Sequence, residues 1–182
     1  MKKIISLVAL IAISLSLSAQ TDSWVRTEVG NGLSVVFPNT PKYQLSDAGT
    51  SYTSLNSDCI FITQIIRDVI KKDYDKFVLA ESKWSEAEKK NIAYSFLDNY
   101  AKSRVNSSGG RNAIYSNVKI GNFYGKKIEY TAVNPINGKV GKRYMIALAL
   151  LKYNKIYSFE CLLLDDTSKA MRDKNTFFNS IK

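Results

Sequence analysis

The chain has 182 residues, 26 of them basic and 16 acidic, for a formal charge of +10 at neutral pH; it contains no histidine and 2 cysteines. The missing imidazole excludes Ser-His-Asp and Cys-His catalysis, histidine acid–base steps and the common zinc sites. Two thiols, Cys59 and Cys161, do not complete a tetrahedral shell, so no metal and no cofactor is expected.

The first residues read as a secretory signal peptide. Lys2 and Lys3 precede an apolar run from Ile4 to Leu17, and the small residues Ser18 and Ala19 follow. That run is short for a membrane span and has the flanks of an export signal. Cleavage is expected after Ala19 or Ser18, leaving residues 20–182 as a single domain of roughly 160 residues in the periplasm or outside the cell. No cysteine follows the site, so no lipid anchor is expected there. The exported chain keeps a charge of about +8, which favours acidic proteins or anionic envelope components as partners over nucleic acid. Lysine pairs spread along the chain, such as Lys89-Lys90 and Lys126-Lys127, also serve simple solubility. In an oxidising compartment Cys59 and Cys161 can bridge; both lie in apolar runs, where two buried thiols are the other reading.

In chain order, "WVRTEV" and "LSVVF" flank Gly30-Asn31-Gly32, a strong hairpin signal. Pro38 and Pro41 end the second strand and redirect the chain. "SYTSL" and "CIFITQII" read as two further strands, and "DYDKFVLA" as a short helix. Ser85 and Glu88 have the spacing of a capping box. Behind it Ile92, Ala93, Phe96, Leu97, Tyr100, Ala101 and Val105 fall on one helical face, with Asn91, Ser95, Asp98, Asn99 and Lys102 on the other. "NSSGG" stops that helix. "AIYSNVKI", "GKKIEYTAV", "KRYMIALALLKY" and "KIYSFECLLL" follow as strands. After Asp166 and Thr167, either of which can cap it, a last amphipathic segment carries Met171, Phe177, Phe178 and Ile181. The order strands, helix, strands, helix predicts an α+β fold, a mainly antiparallel β-sheet covered by helices.

The Phe37-Pro38-x-x-Pro41 strand end, the glycine-turned strand pair in the middle, and "NKIYSFECLLLDD" running on to "FFNSIK" resemble the PsbP-like (Mog/PsbP-type) fold, over about residues 23–182. The resemblance implies an α/β/α sandwich and a protein that binds other proteins. Fold likeness alone does not name an activity.

Catalytic constellations are weak. Ser116 and Lys119 have Ser-x-x-Lys letters, but strand geometry sends them to opposite faces. Asp73 and Asp75 lack the further ligands and glycine of a calcium loop, and "SSGGRN" lacks the Lys-Ser/Thr of a phosphate loop. Interleaved tyrosines and basic residues remain: Tyr124, Lys126, Lys127, Tyr130, Lys142, Arg143 and Tyr144. Tyrosine and arginine suit protein interfaces. The expected function is therefore that of an exported, non-catalytic binding or accessory protein. It would dock an acidic partner through a basic, tyrosine-rich sheet face or hairpin edge. The alternative is a carrier of a small apolar ligand held between the sheet and the helix of residues 85–106.

Overall fold

The computed structural model describes residues 24–70 and 73–182; the signal-peptide reading lies outside the described residues. Strands β1 (Val25–Gly30) and β2 (Leu33–Phe37) form a separate two-stranded ribbon. Its turn is closed by Asn31 and Gly32 at φ 53° and 77°. Both central residues of that turn need positive φ to match the strands' twist, and asparagine followed by glycine supplies it at least cost. β2 stops at Phe37 because Pro38 offers no N–H to extend the ladder.

Seven strands make the main sheet: β3 (Lys42–Ser46), β4 (Gly49–Leu55), β5 (Cys59–Arg67), β6 (Arg111–Ile120), β7 (Phe123–Val133), β8 (Val140–Leu150) and β9 (Lys155–Leu163). Their order is β3-β4-β5-β9-β8-β7-β6, with every neighbouring pair antiparallel. β8 from Tyr144 to Leu150 and nearly all of β9, in the middle, are buried on both faces. Gly49 opens β4 at φ 146°, where an added Cβ would lie 1.9 Å from the Ile65 carbonyl oxygen. β3 is only five residues long, follows directly on Pro41, and buries neither of its alternating apolar residues, Tyr43 and Leu45, so nothing marks it as a strand before its pairing with β4 is known.

Helices α1 (Tyr74–Glu81) and α2 (Glu86–Ser107) lie on one face of the sheet. The ribbon and α3 (Ser168–Asn179) cover the other, giving the three-layer α+β arrangement. α2 begins at the foreseen capping box: Ser85 Oγ accepts from the Glu88 N–H at 3.3 Å, and the Ser85 N–H donates to Glu88 Oε2 at 2.7 Å. Its buried residues are Ala93, Leu97, Ala101 and Val105, packed on Ile128, Tyr130, Ala132, Met145 and Ala147. Phe96 and Tyr100 are partly buried on the flank of that seam, and Lys102 is exposed. Burying the Leu97 side chain alone contributes about 1.5–3 kcal/mol. Thr167 caps α3, its hydroxyl accepting from the Ala170 N–H at 3.0 Å.

Cys59 and Cys161 are free and fully buried under α3. Phe61 faces Cys161 across β5 and β9, so the two thiols are diagonal neighbours on one sheet face. The Cys59 thiol donates to the Ala170 carbonyl at 3.5 Å. Burial, helped by the neighbouring Cys59, pushes the Cys161 thiol far up, which suppresses the reactive thiolate. Both thiols are expected to resist a thiol-specific disulfide reagent at mildly alkaline pH and to react stoichiometrically once the chain is unfolded. Prompt labelling of either in the folded protein would contradict this packing.

Candidate binding site

Strand alternation decides what the tyrosine and lysine run of β7 and β8 can do. Lys126 pairs with Ala147, Lys127 with Ile146, Glu129 with Tyr144, Tyr130 with Arg143 and Thr131 with Lys142. Directly opposed residues share a face, and successive residues alternate. Tyr124, Lys126, Tyr130 and Arg143 therefore point to the α2 side, whereas Lys127, Lys142 and Tyr144 point to the opposite side. The seven residues do not make one surface.

On the α2 side the group is mostly internal. Tyr130 is 3% exposed and Lys126 8%. Lys126 is ion-paired with Asp98 of α2, and its ammonium lies 5.9 Å from the Tyr94 ring. Tyr124 packs on Tyr94 at 5.8 Å between ring centroids, and its hydroxyl meets Glu86 Oε2 at 3.4 Å. Arg143 donates to the Val133 carbonyl at 2.7 Å. These side chains fasten the helix to the sheet or brace the end of β7. Of the expected basic, tyrosine-rich sheet face or hairpin edge, these residues are therefore the part turned inward: a lysine or tyrosine spent on the helix is not offered to a partner.

The opposite side of β6, β7 and β8 extends past α3. Lys127 pairs with Glu129 at 2.9 Å, and Lys142 pairs with Asp166. Tyr144 is nearly buried, and Lys174 of α3 stands 4.2 Å over its ring; burial raises the phenol's pKa. Next to these lie Ile114, Val133 and Val140, exposed by 68%, 55% and 71%. A cleft of about 110 Å³ lies beside Ile114, lined also by Glu129, Thr131, Lys142 and Tyr144 among others. Exposed valines and isoleucine beside cations and a tyrosine edge make a surface with apolar contact and charge in reach of each other.

Under α2 sits a polar group that no motif pointed to. Arg104 donates to Glu160 through Nε at 2.8 Å and through Nη2 at 2.9 Å, and Ser158 Oγ donates to Glu160 Oε1 at 3.1 Å. Glu160 is 1% exposed in the middle of β9. Its carboxylate, the first cause, raises the Arg104 pKa further above its ordinary value, and burial raises the phenol of Tyr100 beside it. The pair and the contacting alanines occupy the space between helix and sheet that a carried ligand would need. One sequence signal existed: a lone glutamate inside the apolar run "IYSFECLLL".

A larger cavity, of about 500 Å³, lies at the loop before α1, lined by Asp68, Ile70, Asp73, Tyr74, Asp75, Lys76 and Asn154. Asn154 Oδ1 accepts from the Ile70 N–H at 2.7 Å, and Asp73 holds Lys76 at 3.0 Å. These polar groups are engaged in shaping the loop. Among the described residues no three His, Cys, Asp or Glu side chains are grouped to hold a metal ion, and no helix is long and apolar enough to cross a membrane.

No family model and no curated protein matches the chain. Among solved structures, it is similar to the Ran-binding protein Mog1p of Saccharomyces cerevisiae, at 11% identity and a TM-score of 0.45 over 85% of this chain and 84% of that one. A point mutant of protein Mog1 gives a TM-score of 0.44 at 11% identity, with the same coverage.

Proposed function

We propose that the chain is an exported, non-catalytic binding protein that docks an acidic protein partner on the open side of β6, β7 and β8. The observation that carries this reading is the exposed set Ile114, Val133 and Val140 lying on the same face as Lys127, Lys142 and Tyr144. A partner gains apolar burial from the first three and charge complementarity from the lysines. Glu129 and Asp166 do not stand in the way. Exposed ion pairs contribute little, so a partner's carboxylates can take over the lysines without a large loss.

The test is capture of the native partner from envelope extract by wild type, by a Lys127→Glu/Lys142→Glu variant and by Val140→Asp. The charge reversal is expected to weaken capture strongly at low ionic strength and less at high, because salt screens steering. Val140→Asp is expected to weaken it at both. Thermal stability should change by no more than about 0.5 kcal/mol in each. Wild-type capture by both variants would remove this face from the function.

A further inference from the structure

We propose that the partner is held by strand addition: an extended acidic segment pairs with the free edge of β6 and continues the sheet. This rests on the binding face just described and names the form its partner takes.

Among the described residues β6 ends the sheet and pairs only with β7. It is ten residues long, twice the length of β3 at the other edge. Gly121 and Asn122 link it to β7 as a two-residue turn closed by Ile120 opposite Phe123, with Gly121 at φ 54°. Such a closing pair exchanges backbone hydrogen bonds, and the pattern alternates from there. Ile120, Val118, Ser116 and Ile114 thus turn their N–H and C=O toward β7. Lys119, Asn117, Tyr115 and Ala113 turn theirs outward, where among the described residues no strand meets them.

Soluble proteins blunt such edges with prolines, bulges and charges. A bulge with Asn112 at φ 54° distorts the start of β6, and Lys119 guards its end. Between them Ile114 to Val118 carries no proline, charge or bulge, and Ile114 and Tyr115 are exposed by 68% and 40%. That is a regular template of outward donors and acceptors with apolar grips beside it.

Charge selects the occupant. The strand holds Arg111 and Lys119 and no carboxylate. Two copies meeting edge to edge would bring four cations and no strand carboxylate into one seam, between chains that are each strongly basic. An incoming segment alternating Asp or Glu with Val, Ile or Thr sets its carboxylates on the face of Lys119. Its apolar residues lie beside Ile114 and Val118.

The probe is a displayed library of eight-residue peptides with that alternating acidic pattern, selected on the whole exported chain, with a lysine-for-acid library as control. The acidic library is expected to yield binders that slow amide exchange at Tyr115, Asn117 and Lys119. Asn117→Pro, which removes an outward donor and no bond to β7, is expected to weaken them at least about tenfold, whereas Asn117→Thr keeps affinity. Should the proline variant unfold, N-methylating the selected peptide at alternate residues gives the same test: one register abolishes binding and the other spares it. Strand addition is overturned if the acidic library enriches no more than the basic one, if methylation in either register is harmless, or if slowed exchange tracks dimerisation of the chain. If partner capture still depends on Lys127 and Lys142 in that event, the binding face stands without it. If peptides pair with β6 while capture ignores both lysines, the face is wrong and the edge is the site.

Discussion

Phe177→Ala is expected to destabilise the protein by about 3–5 kcal/mol, the usual cost of emptying a buried aromatic site. The side chain is fully buried at the end of α3, and its ring lies 5.5 Å from Phe37, 5.1 Å from Phe61 and 5.3 Å from Phe178. Phe37 belongs to the ribbon and Phe61 to the main sheet, so one ring joins three elements that are far apart in sequence. Tilted aromatic contacts add to the area term, and the rigid neighbours leave little room for the site to collapse. Against a total stability of about 5–15 kcal/mol, such a loss brings the fold close to its limit. Urea denaturation measures it. Asn175→Ala, exposed on the same helix, is expected to change the midpoint little. Equal, small shifts at both positions would show that α3 does not anchor the ribbon.

The elements legible from the sequence were those whose burial leaves a period. α2 carried both a capping box and a face of seven apolar residues, and both are present in the structure. The hairpin was legible because Asn31-Gly32 has a conformational meaning independent of context. β3 has a period without burial: Tyr43 and Leu45 alternate with polar residues over only five positions, it is a strand through its pairing with β4, and its side chains meet solvent on both faces. The surface was harder for a related reason. Parity alone separates Lys126 from Lys127, and the rule that sends Ser116 and Lys119 to opposite faces applies equally there. What parity cannot supply is which face the helix covers, since that depends on α2 crossing β7 and β8. The same holds for Glu160, whose partner Arg104 is 56 residues away. An isolated carboxylate in an apolar strand announces that something must neutralise it, without saying what.

That pair gives the second large effect. Arg104→Ala is expected to cost about 3–5 kcal/mol, because it strands the Glu160 carboxylate in a site 1% exposed where, among the described residues, the Ser158 hydroxyl is the one donor left to it. The loss has little to do with the net value of the ion pair, since bringing both charges out of water cancels much of their attraction. The double variant Arg104→Met/Glu160→Leu removes both charges while keeping volume. It is therefore expected to recover most of the loss and to approach wild-type stability. The single variant should also regain stability on acidification. Protonating the stranded carboxyl neutralises it in the folded state, and a group that binds its proton more tightly when folded stabilises the fold as pH falls. Urea midpoints for the three proteins at neutral and mildly acid pH decide the matter. A double variant as unstable as Arg104→Ala would mean that the guanidinium acts through its packing between α2 and β9. A single variant indifferent to pH would mean that water reaches Glu160 once the arginine is gone.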